Sequence, residues 1–320
     1  MAVPLGVAAA NLTSHRAKAV IKPIIQTSPI LKHIRVVNTG GELSHMYNQD
    51  YQLPTVSYIG LNQSAPNPTQ GAQRQVNATV ARMVIPMRID NVFRSTPAKW
   101  ETQEVMQMRL GGIAGGFQFN DDFFDGDDAV SPLKPRGMYK HMALGLTAGT
   151  IPSQQRINAG TGGATLTLAM LDELVDACQG ENRILFMNQR LKRKILQLAR
   201  DSSTSGIMRI TESRDMFGKK LDEYDGIPIE VIQREDNYST VLDFDEDDGS
   251  GNLDSASIWC ISFGNETGVY SFAPQGLGFQ VEPFVRVPGQ PYWDSLSEWL
   301  FNYVVAGPRC IAQLNHVNNA

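Results

Sequence analysis

Residues Thr96–Asn120 read TPAKWETQEVMQMRLGGIAGGFQFN, and the fold turns on whether this stretch is one helix. Thr96 can cap a helix N-terminus, and Pro97 suits the first helical position, where no backbone N–H is needed. Glu101 and Glu104 fall early, where carboxylates favour the dipole. Met106, Leu110, Ile113, Ala114 and Phe117 fall at i, i+4, i+7, i+8 and i+11, one apolar helical face. Unbroken, the helix would run roughly 35 Å at about 1.5 Å per residue. Against it stand Gly111, Gly112, Gly115 and Gly116, each costing about 1 kcal/mol relative to Ala. Either the helix stops near Leu110, or the glycines let other backbone pack close to a long helix. GGIAGG lacks a following Lys-Ser/Thr and the dinucleotide-loop spacing, so it is no phosphate loop.

Downstream, FNDDFFDGDDAVSPLKPRGMYK crowds Asp121, Asp122, Asp125, Asp127 and Asp128 into a turn that Phe119, Phe123 and Phe124 can anchor. Hard cations take carboxylate oxygens, but no ligand spacing is present, and such charge runs are commonly solvated. Upstream, residues 43–94 read as a long β-hairpin. One arm is expected near Tyr51–Leu61 and the other over Gln75–Val92, where Val76, Ala78 and Val80 alternate with polar residues. The tip, NQSAPNPTQGAQ, is turn-forming and cannot build a core. A two-stranded ribbon is barely stable alone, so it needs a partner surface from this chain or another. Residues 1–42 carry Arg16, Lys18, Lys22, Lys32 and Arg35 between short apolar patches, too brief for an independent helix. They read as an arm that orders against a neighbour or as a disordered leader.

Residues 150–164, IPSQQRINAGTGGAT, read as a linker; Thr165 stands where a dinucleotide loop needs its third glycine. Leu168, Leu171, Leu174, Val175 and Cys178 form a helical stripe ended by Gly180. Ile184–Met187 is a short buried strand. Asn188 can cap a second helix with Leu191, Ile195 and Leu198 inside and Arg190, Lys192, Arg193, Lys194 and Arg200 outside. That basic face either binds nucleic acid or is a solvated face meeting acidic groups elsewhere, the reading preferred here. Asp225-Gly226 turns into a strand with Ile227, Ile229 and Val231. In DFDEDDGSGNLD, Asp243, Asp245 and Asp247 match positions 1, 3 and 5 of a calcium loop. Asp248 replaces the required Gly and Asp254 the required Glu, so the segment reads as an exposed loop tip. From Ser257 the chain is mostly β. Trp299, Phe301, Tyr303 and Val305 alternate with Leu300, Asn302 and Val304, a strand covered on both sides.

The 320 residues carry a net charge of −5, which argues against wholesale phosphate binding. Cys178, Cys260 and Cys310 are few, odd in number and scattered, and read as plain buried thiols. No apolar run reaches membrane-span length, and the N-terminus lacks a secretory signal's basic start.

Taken in order, these segments resemble the major capsid proteins of tailed bacteriophages. The resemblance rests on the FFDGD turn after the central helix, RILFMNQRLKRKI, GKKLDEYDGIPIEVI and SEWLFNYVVAGPRCIAQL, and spans nearly the whole chain. It implies an α+β fold of the Hong Kong 97 type. Residues 1–42 would be an N-terminal arm and 43–94 the extended loop reaching over a neighbouring subunit. Residues 95–140 would be a peripheral domain with its spine helix, 141–255 mostly the axial domain, and 256–320 C-terminal strands completing the sheets. It further implies pentamers and hexamers of this chain in a virion shell assembled in the host cytoplasm. Implied partners are a scaffolding protein, a portal, a decoration protein, and DNA held non-specifically, with no membrane. Some relatives cross-link through a lysine in the extended loop; residues 40–98 contain none, so that chemistry is not expected. About forty residues precede the hairpin, so scaffolding is either a separate protein or has been cut away.

An encapsulin-like cargo compartment shares the fold and is the alternative. An enzyme is the third reading, and it lacks a motif: His15, His33, His45, His141 and His316 are scattered, without HExxH or GxSxG. No catalytic, cofactor or metal residues are expected.

Overall fold

The computed structural model describes residues 3–4, 15–52, 54–64, 66–67, 71–94, 97–201, 210–214, 220–232, 241–275 and 278–318. The first half runs β1 (Val3–Pro4), α1 (His15–Thr27), α2 (Ile30–His33), β2 (Arg35–Asn38), β3 (Ser44–Gln52), β4 (Ala72–Thr79), β5 (Ala81–Asp90), α3 (Asn91–Arg94), α4 (Pro97–Asp125) and α5 (Met138–Ala148). Then come β6 (Arg156–Asn158), β7 (Ala164–Thr165), α6 (Leu168–Ala177), β8 (Arg183–Met187), α7 (Gln189–Asp201), β9 (Ile210–Arg214), β10 (Lys220–Tyr224) and β11 (Ile227–Val231). The last strands are β12 (Glu246–Asp247), β13 (Leu253–Ser262), β14 (Val269–Ala273), β15 (Phe279–Val281), β16 (Val285–Arg286), β17 (Tyr292–Val305) and β18 (Ile311–Asn318).

The glycines do not stop α4, which continues past Asn120 to Asp125. A Cβ on Gly112 would stand 2.5 Å from the Val20 carbonyl oxygen, and one on Gly116 3.1 Å from that of Ile24. On the adjoining face, a Cβ on Gly115 would meet Ile85 Cδ1 at 2.5 Å and one on Gly111 would meet Met87 Sδ at 2.9 Å. The four glycines thus seat α1 and β5 on adjacent faces of one helix. The expected apolar face is a correction: Met106, Leu110 and Ala114 are exposed and Ile113 and Phe117 half-buried. Met108, Gly112, Gly115, Phe119 and Phe123 are inside instead. A glycine contributes no hydrophobicity to a periodicity count, yet it lets backbone approach closest. The Thr96 cap falls outside the described residues.

Residues 15–38 also differ from the expectation of an arm without a seat on its own chain. Val20, Ile21, Ile24 and Ile25 make a helical stripe buried against α4, and Ile30, Leu31 and Ile34 continue it. Tertiary burial stabilises a helix too short to stand alone.

Two sheets carry the remainder. In the seven-stranded sheet the order is β1-β2-β14-β17-β15, with β5 and β16 also on β17. Residues 292–301 of β17 pair with β5 in an unbroken antiparallel register, Tyr292 to Asp90 through Phe301 to Ala81. In the nine-stranded sheet the order is β6-β18-β13-β8-β11-β10-β9, with β7 on β18 and β12 on β13. Ile184 and Phe186 of β8 face the cluster of Phe123 and Phe124, while Leu185 and Met187 join α6 and α7. Both faces of this sheet are covered, which explains the continuously apolar run. The expected linker 150–164 is in part sheet edge, since β6 and β7 pair with β18 in parallel.

Several local expectations hold. The stripe of α6 buries Leu171, Leu174 and Val175, and Thr167, which the sequence reading did not single out, caps the helix. The Asn188 side chain accepts from Leu191 N at 2.8 Å at the start of α7. Asp225 and Gly226, both at positive φ, turn β10 into β11, the backbone that a two-residue hairpin of this twist requires. Strand β17 is buried on both faces from Phe301 to Val305, while its first half alternates. All three cysteines are free and buried.

The hairpin is the largest correction. Its arms are β3 and β4, paired from Ser44–Thr79 to Gln52–Ala72. Residues 54–60, expected as strand, have no regular structure. The expected return arm splits after Thr79, and its second part, β5, leaves the hairpin for β17.

Candidate assembly surface

The chain's chemistry gathers in the hairpin, the long helix and two acidic turns. At the hairpin root, Tyr47 packs with Tyr270, Phe272, Val304 and Ala306, and Val76, Ala78 and Val80 border that cluster. His45 Nε2 lies 3.0 Å from Tyr270 Oη. Burial holds the His45 imidazole below its usual value, against Glu42, and pushes the Tyr270 phenol up to about 12. Asn302 Nδ2 donates to Thr79 O at 2.6 Å. The root is therefore fixed to β14 and β17 of its own chain.

Beyond Gln52 the character reverses. Tyr58 and Leu61 are 101% and 100% exposed, and Val56 and Ile59 are exposed beside them. No charged residue occurs from Gln52 to Gln73. A second apolar strip follows the outer face of α4, where Val105, Met106 and Leu110 are exposed. Exposed apolar residues grouped like this mark interaction surfaces more often than chance scatter does.

The turn after α4 places five aspartates at a helix C-terminus, where negative charge is unfavourable. The chain answers with cations from the next twenty residues. Lys134 Nζ lies 3.3 Å from Asp122, Arg136 Nε donates to Asp128 at 3.0 Å, and Lys140 Nζ lies 3.1 Å from Asp127. The Arg136 hydrogen bond holds the Asp128 carboxyl below its usual value, and the Ala129 N–H does the same for Asp127 ahead of Lys140. Asp122 is the exception: burial raises it despite Lys134. Phe119, Phe123 and Phe124 anchor the turn as expected, with Phe124 5.9 Å from Trp259 and 5.8 Å from Phe186. The turn is thus less a solvated loop than an ion-paired corner.

In the loop at residues 243–254 the aspartates accept from the loop's own backbone. Asp247 Oδ1 accepts from Gly249 N and Gly251 N, and Asp248 accepts from Ser250 N, Asn252 N and Asn252 Nδ2. Its one glutamate, which the sequence did not single out, points inward. Glu246 accepts from Tyr139 Oη at 2.5 Å, Ser257 N at 3.1 Å and Ser257 Oγ at 2.5 Å. Burial raises this carboxyl above its usual value. One Glu among aspartates offered no signal for that role. Among the described residues no group of three or more His, Cys, Asp or Glu is placed to hold a metal.

On α7, Lys192 Nζ reaches Asp222 at 2.9 Å and Arg190 lies over Phe244, in keeping with a basic face that meets other groups of the chain. The histidines stay dispersed. His33 stacks on Phe263, His141 is half-buried beside Arg136, and His316 adjoins Gly249; the His15 side chain lies outside the described residues. Among the described residues no helix is long and apolar enough to cross a membrane.

No protein-family model and no curated protein matches this chain. Solved structures do. The capsid of cyanophage A-1(L) is 10% identical, with 96% of this chain and 94% of that one covered and a TM-score of 0.57. The SrpI encapsulin of Synechococcus elongatus PCC 7942 is 14% identical, covering 90% and 86%, with a TM-score of 0.56. The capsid of a native GTA particle is 13% identical, covering 96% and 92%, with a TM-score of 0.53. At these identities the likeness is one of fold. The chain has the α+β shell fold of the Hong Kong 97 type, as expected from its sequence.

Proposed function

We propose that this chain is the major capsid protein of a tailed bacteriophage, building an icosahedral head around DNA. The carrying observation is that the likeness to shell subunits runs end to end in both directions, 96% of this chain against 94% of the cyanophage capsid chain. The exposed, uncharged hairpin end adds a feature that a solitary protein would have no use for. In this reading residues 1–42 are the arm, 43–94 the extended loop, 95–140 the peripheral domain, 141–255 mostly the axial domain, and 256–320 the completing strands. The role is structural rather than catalytic. Partners are further copies in pentamers and hexamers, a scaffolding protein, a portal and a decoration protein, with packaged DNA held non-specifically. The virion is the destination and the host cytoplasm the site of assembly.

The encapsulin likeness supports a second reading, a compartment loaded with protein cargo. Electron microscopy of the sedimented protein, expressed alone and with its scaffolding protein, tests both. Closed particles with five- and six-fold clusters are expected. DNA inside supports the virus and a co-purifying enzyme supports the compartment. A small oligomer persisting across salt and scaffold conditions overturns the shell.

A further inference from the structure

Between the hairpin root and α5 lies an open groove of about 370 Å³. Most of its wall is apolar, from Tyr47 and Val76 on the hairpin, Leu144 and Ala148 on α5, and Ile151 just beyond. Its charge is of one sign. Arg74 and Arg136 line it together with His141, and among the described residues no carboxylate does. Asp128, the counter-ion of Arg136, lines the adjoining recess instead.

Most of the neutral donors in the wall are already committed. Thr147 Oγ1 donates to Ala143 O, Thr150 Oγ1 to Gly145 O and Gln49 Nε2 to Val305 O. The guanidiniums are less so. Arg136 places Nε and Nη2 on Asp128, which leaves Nη1 open among the described residues. Arg74 is exposed and makes no ion pair among the described residues. Burial raises the Tyr47 phenol while Arg136 and Arg74 both lower it, so the two cations converge on that ring. The His141 Nε2 is shut away from water without a partner. Such an orphan is costly to leave unmade, and a neutral imidazole can donate from that nitrogen to a bound acceptor.

Two convergent guanidiniums over an apolar wall select a ligand with an anionic head and an apolar body. A cation would meet like charge, and a neutral apolar ligand would strip water from the arginines with nothing in return. At about 30 Å³ per water-sized atom the groove takes roughly a dozen heavy atoms, at the small end of ligand sites. We propose that the groove binds a small amphipathic carboxylate, its head between Arg74 and Arg136 and its body against Tyr47, Leu144 and Ile151. Bound there, the ligand braces β4 of the hairpin root onto α5. The inference goes beyond the shell reading and does not depend on it.

The test titrates octanoate into the full chain by isothermal calorimetry, with 1-octanol, octylamine and acetate as comparisons. Octanoate is expected to saturate one site per chain. Octanol and acetate each lack one half of the ligand and octylamine carries the wrong charge, so all three should bind at least tenfold more weakly. Arg74→Gln and Ala148→Glu alter exposed positions, where the fold is insensitive. Each should weaken octanoate at least tenfold, by loss of a charge-assisted hydrogen bond or gain of an opposing charge. Octanol binding as tightly as octanoate, octanoate unaffected by both variants, or no saturable binding overturns the proposal. Acetyl-alanyl-leucine, as free acid and as amide, separates the sources of such a head. Free acid binding tenfold more tightly than octanoate, with the amide silent, overturns the small-molecule source and assigns the groove to a partner's C-terminus. No arm requires closed particles, so failure here leaves the shell reading standing.

Discussion

The two ends of the hairpin are built from similar residues and used in opposite ways. At the root, Tyr47 is buried among Tyr270, Phe272 and Val304. At the far end, Tyr58 sits fully in water. The long helix repeats the contrast on its two faces, with glycines locked against α1 and β5 inside and Met106 and Leu110 open outside. Hydrophobicity alone does not separate what a chain closes upon itself from what it leaves for others. Shape does: the closed surfaces meet neighbours at van der Waals distance, and the open ones stand clear of the other described residues.

The contrast breaks most visibly at the root. Tyr47→Ala is expected to cost about 3–5 kcal/mol of folding stability, the range for removing a large core aromatic, measured by chemical denaturation. A cost near zero would mean the root is as free as the tip. His141, half-buried beneath the root, comes next. Burial, aided by Arg136, lowers its pKa from 6.5 to about 3. Unfolding therefore takes up a proton there at mild acidity. The stability this residue contributes is fully present above pH 6.5 and is lost as pH falls toward 3. His141→Gln should flatten the fall in Tm across that window, and an unchanged slope would show the histidine is not shielded.

On the long helix, Gly112→Ala should cost about 1–3 kcal/mol by overpacking, despite Ala's better helix propensity, because the new Cβ meets the Val20 carbonyl oxygen. Stabilisation instead would show α1 is free to lift away. The smallest effect sharpens the comparison. Tyr58→Ser with Leu61→Ser should leave stability within about 0.5 kcal/mol while self-association, followed by sedimentation velocity, weakens markedly.

Features governed by local chemistry were legible in the sequence. Asn188 caps a helix because its side chain reaches Leu191 N, and Asp225-Gly226 turns a hairpin because both residues tolerate positive φ. Segment order was enough to suggest the shell fold. What depended on non-local shape was not legible. Periodicity marks the Met106–Leu110–Ala114 stripe of α4 as its inner face, whereas the glycine face is buried. The alternation of Val76, Ala78 and Val80 runs on into Met83, Val84 and Ile85, which reads as one return arm, and only β17, more than two hundred residues later, draws β5 away. Helix α1 showed a short stripe interrupted by Pro23, and its stability comes from a partner helix that sequence could not pair with it. As for the candidate surface, the sequence pointed to the hairpin as a whole but not to which end is free.

The pairing of β5 with β17 has a consequence in time. Arg82 and Glu298, a bridged pair across these strands, are 216 residues apart. At about 5–20 residues per second, a ribosome needs roughly 10–40 s between them. Until residues 292–318 emerge, neither sheet can close, and Val304 is not yet there to seat Tyr47. The hairpin root therefore gains its seat only at the end of synthesis.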